Sequence, residues 1–298
     1  MKIAITGSSG LIGQALSTSL RADGHEVVRL VRRTPRATGE VRWDPRAADA
    51  GDPDLGGADA VVHLAGANVG AHRWTAGYKA EIRASRVLAT RALATALTRL
   101  ETAPKALISA SAIGWYGGTG DREATEEAPA GHGFLGRLAH DWEAAADPAR
   151  QAGIRTVHLR SGLVLSPRGG VLARMTLPAR LGLLPRFGDG TQVMSWISLT
   201  DEVRAIRFLL ETETATGPFN LTAPSPVTND EFTAALHKAF RRPDPGWLRV
   251  PAPLLRIALG QMSTELLTSA RVTPRRLTEA GFRFRYPDLA AALAAELR

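Results

Sequence analysis

The chain begins MKIAITGSSGLIGQAL, and its first three glycines, Gly7, Gly10 and Gly13, form a G-x-x-G-x-x-G pattern directly after an apolar run. "KIAIT" reads as a buried strand, and "LIGQALSTSLRADG" as a helix that ends at Gly24. A strand that turns through glycines into a helix has few options. Gly7 permits the tight turn, Gly10 lets the backbone approach a pyrophosphate, and Gly13 lets the helix pack close to the sheet. The helix start presents free N–H groups and the positive end of its dipole to an anion. Glycines mark turns everywhere, but here a second strand, "EVVRLV", follows, as a dinucleotide-binding βαβ unit requires. Gly7, Gly10, Leu11, Ile12 and Gly13 are therefore the expected phosphate-binding residues.

The alternation continues. "DAVVHLAG" (Asp59–Gly66), "KALISAS" (Lys105–Ser111) and "RTVHLRSGLVL" (Arg155–Leu165) read as strands. The stretch from about Tyr78 to Leu100 suits one long helix, and "LAHDWEAAADPARQAG" another. The expected fold is α/β: a Rossmann-type doubly wound parallel sheet with helices on both faces. After Pro167 glycine and proline become frequent, and helices reappear around Asp201–Glu211, Asn229–Arg241 and Pro253–Ser269, with Asp201 expected to cap the first of these. The expected division is a dinucleotide-binding domain over 1–166, with segments returning near 195–222, and a smaller C-terminal substrate lobe over 167–298.

Composition narrows the function. The 298 residues are 44% hydrophobic and 22% charged, which suits an ordinary globular protein. No cysteine is present, which excludes disulfides, thiolate catalysis and cysteine-ligated zinc. No signal peptide or membrane-length apolar run is visible, so a cytoplasmic location and no membrane partner are expected. The net charge is +8, but the basic residues are scattered rather than gathered into a stripe with stacking aromatics. That argues against nucleic acid and for a small-molecule substrate, an anionic one if a basic pocket exists. Nothing in the sequence speaks to oligomeric state.

"EVVRLV" runs into Arg32 and Arg33, where NAD sites usually place an acidic residue for the ribose hydroxyls. A guanidinium there suits a 2′-phosphate, so the expected cofactor is NADP.

Several stretches match a known group in order. "TGSSGLIG", "DAVVHLAG", "SASAIGWYG", "TEEAP" and "LRSGLVLSP" make the chain resemble the extended short-chain dehydrogenase/reductase superfamily, in its NAD(P)-dependent epimerase/dehydratase group. "RWDP", "HRWTAGYKAEIRASR", "GDGTQVMSWISLTDEV", "GPFNLTAP" and "TPRRLTEAGFRFRYPDLAAAL" make it look like the branch with a short C-terminal domain of unknown function. The resemblance implies that Leu64, Ala65 and Gly66 pass near the adenine ribose. It also implies that Ser111 is the active-site serine and that Arg160 and Val164 mark the strand beside the cofactor.

The resemblance also implies a Tyr-x-x-x-Lys pair on one helix face, and here the sequence departs from it. Phe134 stands where the tyrosine belongs and Leu138 where the lysine belongs; neither can move a proton. Phe134, Leu138 and Trp142 read instead as a core stripe. Tyr116, after the strand that carries Ser111, is the candidate replacement acid/base, provided a cationic neighbour lowers its pKa. Ser111 is expected either to orient a substrate carbonyl or to bond the turn backbone. Arg86 stands where the superfamily usually has an asparagine facing the site, so it is a candidate for cofactor phosphate or an anionic substrate. Glu81 is expected to pair with Arg86 or with a ribose hydroxyl. Two readings stay open: an NADP(H)-dependent epimerase- or reductase-type enzyme on a small carbonyl or sugar-like substrate, or a cofactor-binding sensor or scaffold without catalysis.

Overall fold

In the strand Lys2–Thr6 (β1), Ile3 and Ile5 face one side and Ala4 the other, and all three are buried. A strand apolar on both faces must lie inside a sheet covered twice. The computed structural model, which describes residues 1–47 and 51–297, shows that sheet. Its other strands are Glu26–Val31 (β2), Glu40–Arg42 (β3), Ala60–His63 (β4), Ala106–Ala112 (β5), Arg155–Ser161 (β6) and Gly217–Leu221 (β7). The order is β7-β6-β5-β4-β1-β2-β3, with every pairing parallel. The fold is Rossmann-type α/β.

Helices Leu11–Ala22 (α1) and Leu199–Glu211 (α7) cover one face, burying Leu16, Leu20, Ile206 and Leu209 against Ile3, Ile5, Ile108 and Leu159. Helices Ala89–Leu97 (α3) and Asp147–Gln151 (α5) cover the other, where Leu93, Leu97 and Ala149 meet Ala4, Val61 and Leu107. Each fully buried Leu or Ile contributes about 1.5–3 kcal/mol, so these two layers hold the sheet. A third core lies beyond the sheet's carboxyl edge. It gathers Leu172 and Met175 of Gly170–Arg180 (α6), Trp196, and Phe232 and Leu236 of Asn229–Ala239 (α8).

Several local features differ from the sequence reading. The helix expected over Leu138–Gly153 is two, Phe134–Ala144 and Asp147–Gln151, and that over Pro253–Ser269 is two, Ala252–Leu259 and Met262–Leu267. The long helix expected over 78–100 is two helices, Ala76–Arg83 (α2) and α3, joined by a π-helical turn at Ala84–Leu88. At this turn the Ile82 carbonyl accepts from the Ser85 hydroxyl at 3.0 Å and from Arg86 Nη1 at 3.3 Å. Side chains competing for a helical carbonyl are one way the regular ladder is locally widened. The strand expected over 155–165 breaks at Gly162, and Leu163–Leu165 pairs instead with Trp196–Ser198. The cap of α7 is Ser198, whose hydroxyl accepts from the Asp201 N–H at 2.9 Å, and not Asp201. The buried Asp201 carboxylate instead accepts from the Arg285 and Tyr286 N–H groups, at 2.9 and 2.8 Å, and ties the C-terminal segment to the sheet domain.

Candidate functional site

The glycine loop is built by close approach. Gly7 has φ +67°, and a Cβ there would lie 2.6 Å from the Leu64 carbonyl carbon. A Cβ on Gly13 would lie 2.3 Å from the Gly7 oxygen, so the first turn of α1 sits directly on the backbone that leaves β1. Gly10 differs: its one close neighbour is the Gly7 oxygen at 3.2 Å, and it is the extended N-cap residue of α1. No side chain caps α1, and its first turn carries no acidic residue. The N–H groups at its start therefore point into the adjoining cleft with their dipole unopposed.

That cleft has a volume of about 460 Å³. Gly7, Gly10, Leu11, Ile12, Gly13, Leu64, Ser111 and Val164 all line it. A smaller recess of about 160 Å³ adjoins it, lined by Arg86, Leu135, Leu138 and Ala139, and shares Val69, Ser111 and Trp142 with the cleft. Among the described residues lining either space, the ionisable side chains are Arg174 and Arg86 alone. An acid-free cleft at a bare helix N-terminus, with backbone that a Cβ would foul, suits a dinucleotide's pyrophosphate.

Ser111 sits where the sheet register explains its surroundings. It pairs with Arg160 on β6, and Arg160 pairs with Asn220 on β7, so three polar residues form one row across three strands. Glu143, from Phe134–Ala144 (α4), lies over that row. The Ser111 hydroxyl donates to Glu143 Oε1 at 2.7 Å and does not bond the turn backbone, the second of its two expected roles. Arg160 holds the same carboxylate in two contacts of 2.8 and 3.0 Å and stacks on the Trp115 ring, 3.8 Å from its centroid.

Tyr116 belongs to this network and not to the cleft. Its hydroxyl donates to Asn220 Oδ1 at 2.6 Å and accepts from Arg160 Nη1 at 3.0 Å, and the residue is 5% exposed. Arg160 is the cation the sequence reading required, but burial outweighs it and pushes the phenol up to about 12. Tyr116 is thus corrected from candidate acid/base to a buried member of the network.

Two other expectations also change. Glu81 is exposed on α2, makes no ion pair with Arg86 among the described residues, and does not line the cleft. Arg33 is drawn away from a 2′-phosphate role. Its Nη1 and Nη2 hold Glu40 at 2.8 and 2.7 Å, on a strand the sequence reading did not expect, and Arg29 grips the same carboxylate. Arg32, at the carboxyl end of β2, is exposed and makes no ion pair among the described residues. Ala65 and Gly66 follow Leu64 without lining the cleft, and Gly66 lies against Arg86: a Cβ there would be 3.3 Å from the guanidinium carbon.

Sequence reasoning missed Arg174, which reaches over from α6 and donates to the Gly70 carbonyl at 2.9 Å. It also missed Glu202, fully buried behind the cleft wall. One Glu202 oxygen accepts from Ser161, a cleft residue, at 2.6 Å; the other has no partner among the described residues. Burial pushes this carboxyl up to about 8. Neither residue belongs to a motif, so no local signal marks them. Phe134 and Leu138 pack as expected from their spacing, in an apolar cluster with Trp74, Tyr78 and Ile82.

Comparison with known proteins agrees with this geometry. Residues 3–221 match the model of the NAD-dependent epimerase/dehydratase family, and residues 250–296 match a domain of unknown function, DUF1731. An epimerase family protein of Mycobacterium tuberculosis is 46% identical over 292 residues, covering 98% of this chain and 96% of the relative. The crystal structure of human epimerase family protein SDR39U1 with NADPH superposes with a TM-score of 0.90 at 34% identity, covering 99% of each chain. A nucleoside-diphosphate sugar epimerase structure from Corynebacterium glutamicum gives a TM-score of 0.80 at 37% identity, covering all of this chain and 58% of that one.

Proposed function

Because the chain belongs to the NAD-dependent epimerase/dehydratase family, we propose that it binds NADP(H) in the glycine-loop cleft and acts as a reductase- or epimerase-type oxidoreductase on a small, anionic carbonyl or sugar-like substrate. The observation that carries this reading is the cleft itself: the glycine cradle, the uncapped α1 N-terminus and Ser111 lie on one continuous surface, with no carboxylate among the described residues that line it. The human relative, solved with NADPH, supports the phosphorylated cofactor.

The loop N–H groups and the α1 N-terminus would hold the pyrophosphate, Arg32 the 2′-phosphate, and the Leu163–Val164 segment the far end of the cleft. When bound, the nicotinamide supplies a hydride donor or acceptor. Ser111 orients a substrate oxygen. With its own proton committed to Glu143, it offers lone pairs to a substrate hydroxyl. Apolar walls from Leu135, Leu138 and Trp142 exclude water around it.

Phe134 and Leu138 stand in place of the superfamily's Tyr-x-x-x-Lys pair, and among the described residues the lining holds no carboxylate, histidine, lysine or tyrosine. That observation favours a second reading, an NADPH-binding sensor without turnover.

Calorimetry with NADPH tests the shared premise, using Gly10→Val, which adds bulk to a residue lining the cleft where the pyrophosphate belongs; its Cβ would lie 3.2 Å from the Gly7 oxygen, so circular dichroism checks that the variant is folded. Wild-type binding and its loss in the variant are expected; retained binding in the folded variant would place the cofactor elsewhere. Oxidation of bound NADPH by any of a panel of carbonyl acids and sugars supports the enzyme, and tight binding without turnover supports the sensor.

A further inference from the structure

Arg86 is a half-buried guanidinium with no carboxylate partner among the described residues. Among those residues, the one hydrogen bond of its side chain is a long 3.3 Å contact one turn back, to the Ile82 carbonyl. Such a group is costly to bury unpaired, and most arginines buried in this protein are paired: Arg160 with Glu143, Arg186 with Asp230 and Asp244. Arg86 is held in place all the same. The π-helical turn sets its backbone, and its guanidinium lies 5.0 Å from the Trp142 ring centroid. The indole is fixed in turn by its N–H bond to Thr90 Oγ1 at 3.0 Å. The result is a pre-oriented cation on the wall of the 160 Å³ recess.

We propose that this recess receives the carboxylate of a small organic acid, paired bidentately with Arg86, and that the adjoining carbon, the carbonyl or carbinol to be acted on, lies at Ser111. The proposal deepens the dinucleotide-dependent reading above and rests on it. Charge decides the anion. One guanidinium among Leu135, Leu138, Ala139 and Trp142 neutralises one negative charge, and a phosphate dianion would leave a charge uncompensated in an apolar pocket. Burial lowers Arg86 to about 10, so it is still a cation at neutral pH. Planar guanidinium meets planar carboxylate in two parallel hydrogen bonds. Size decides the rest: the recess has room for a short acid, and Ser111 and Trp142, which line both spaces, mark where the acid's second carbon would emerge into the cleft.

The test uses the full chain with NADPH bound and reads ligand binding, not turnover. 2-Oxobutyrate, its neutral amide and inorganic phosphate are titrated by ligand-observed NMR against wild type, Arg86→Gln and Arg86→Lys. The acid is expected to bind wild type, and the amide and phosphate to bind at least tenfold more weakly. Arg86→Gln should weaken acid binding tenfold or more, Arg86→Lys should recover part of it, and NADPH affinity should stay level across the three. Equal affinity for acid and amide, or for acid in wild type and Arg86→Gln, overturns the proposal. So does tighter binding of phosphate than of the acid. A fall in NADPH affinity in Arg86→Gln, with no acid bound by wild type, assigns Arg86 to the cofactor instead. If Arg86→Gln fails to fold, full acid affinity in Arg86→Lys overturns the bidentate pairing. If wild type binds no NADPH, the dinucleotide reading fails, while acid binding to the bare protein still reports on Arg86 through the same variants.

Discussion

Replacing Glu202 by glutamine should make the protein more stable at neutral pH, and the gain should grow as pH rises. Glu202 is fully buried, bonded at one oxygen to Ser161 and unpartnered at the other among the described residues. Its pKa rises from 4.5 in the unfolded chain to about 8 in the fold because burial penalises the carboxylate. Between those values the unfolded chain has released a proton that the folded chain keeps, so stability falls as pH increases. Below the unfolded value the penalty is absent. At pH 7 it amounts to about 3 kcal/mol, at 1.36 kcal/mol per pH unit, and it levels off above the folded value. Glutamine has the same shape and does not titrate. Its NH2 group places one more unpartnered donor beside the orphaned position, which gives back about 1 kcal/mol, so the net gain at pH 7 should be about 2 kcal/mol. Urea unfolding at pH 5, 6, 7 and 8 reads this directly. Wild-type stability should decline across the series relative to Glu202→Gln. Parallel pH profiles for the two proteins, or a glutamine variant less stable at pH 7, would refute the reasoning by showing that Glu202 is ionised in the fold.

Other substitutions separate the roles of the remaining residues. Arg32→Ala should weaken NADPH by about 10- to 100-fold and leave NADH unchanged in calorimetry at moderate salt, because one charge-assisted phosphate contact is lost; an equal effect on both cofactors would dismiss the 2′-phosphate role. Tyr116→Phe should cost about 1–3 kcal/mol in urea unfolding, since Asn220 and Arg160 each lose a buried partner. The same variant should keep its NADPH affinity and any carbonyl turnover, and a large loss of turnover would return the tyrosine to the chemistry.

The parts of this protein that depend on neighbours along the chain are legible in the sequence itself. The turn from β1 into α1 needs three glycines at fixed spacing, and the double-sided burial of β1 shows as the unbroken apolar run Ile3–Ala4–Ile5. Family resemblance adds Ser111 and Val164, both of which line the cleft. What the sequence does not carry is anything set by strand register or by one segment reaching over another. β3 is three residues long, too short for a periodic signal, yet its Glu40 captures Arg33 and takes it from the cofactor side. Tyr116 and Arg160 read as a phenol with an activating cation, and they do touch. Only the register of β5, β6 and β7 shows that the contact lies in a sealed row with Asn220, where burial outweighs the charge. Arg86 is visible in the sequence as an unusual residue at a significant helix position. That it stands beside Trp142 with no carboxylate partner among the described residues, on the wall of a recess that opens at Ser111, is the product of α2, the π-helical turn, α4 and the end of β5 meeting in space. The alternation of apolar residues dictates which elements form, because that information is local. Which polar group faces a partner, a core or an open cleft is decided by packing between residues far apart in the chain.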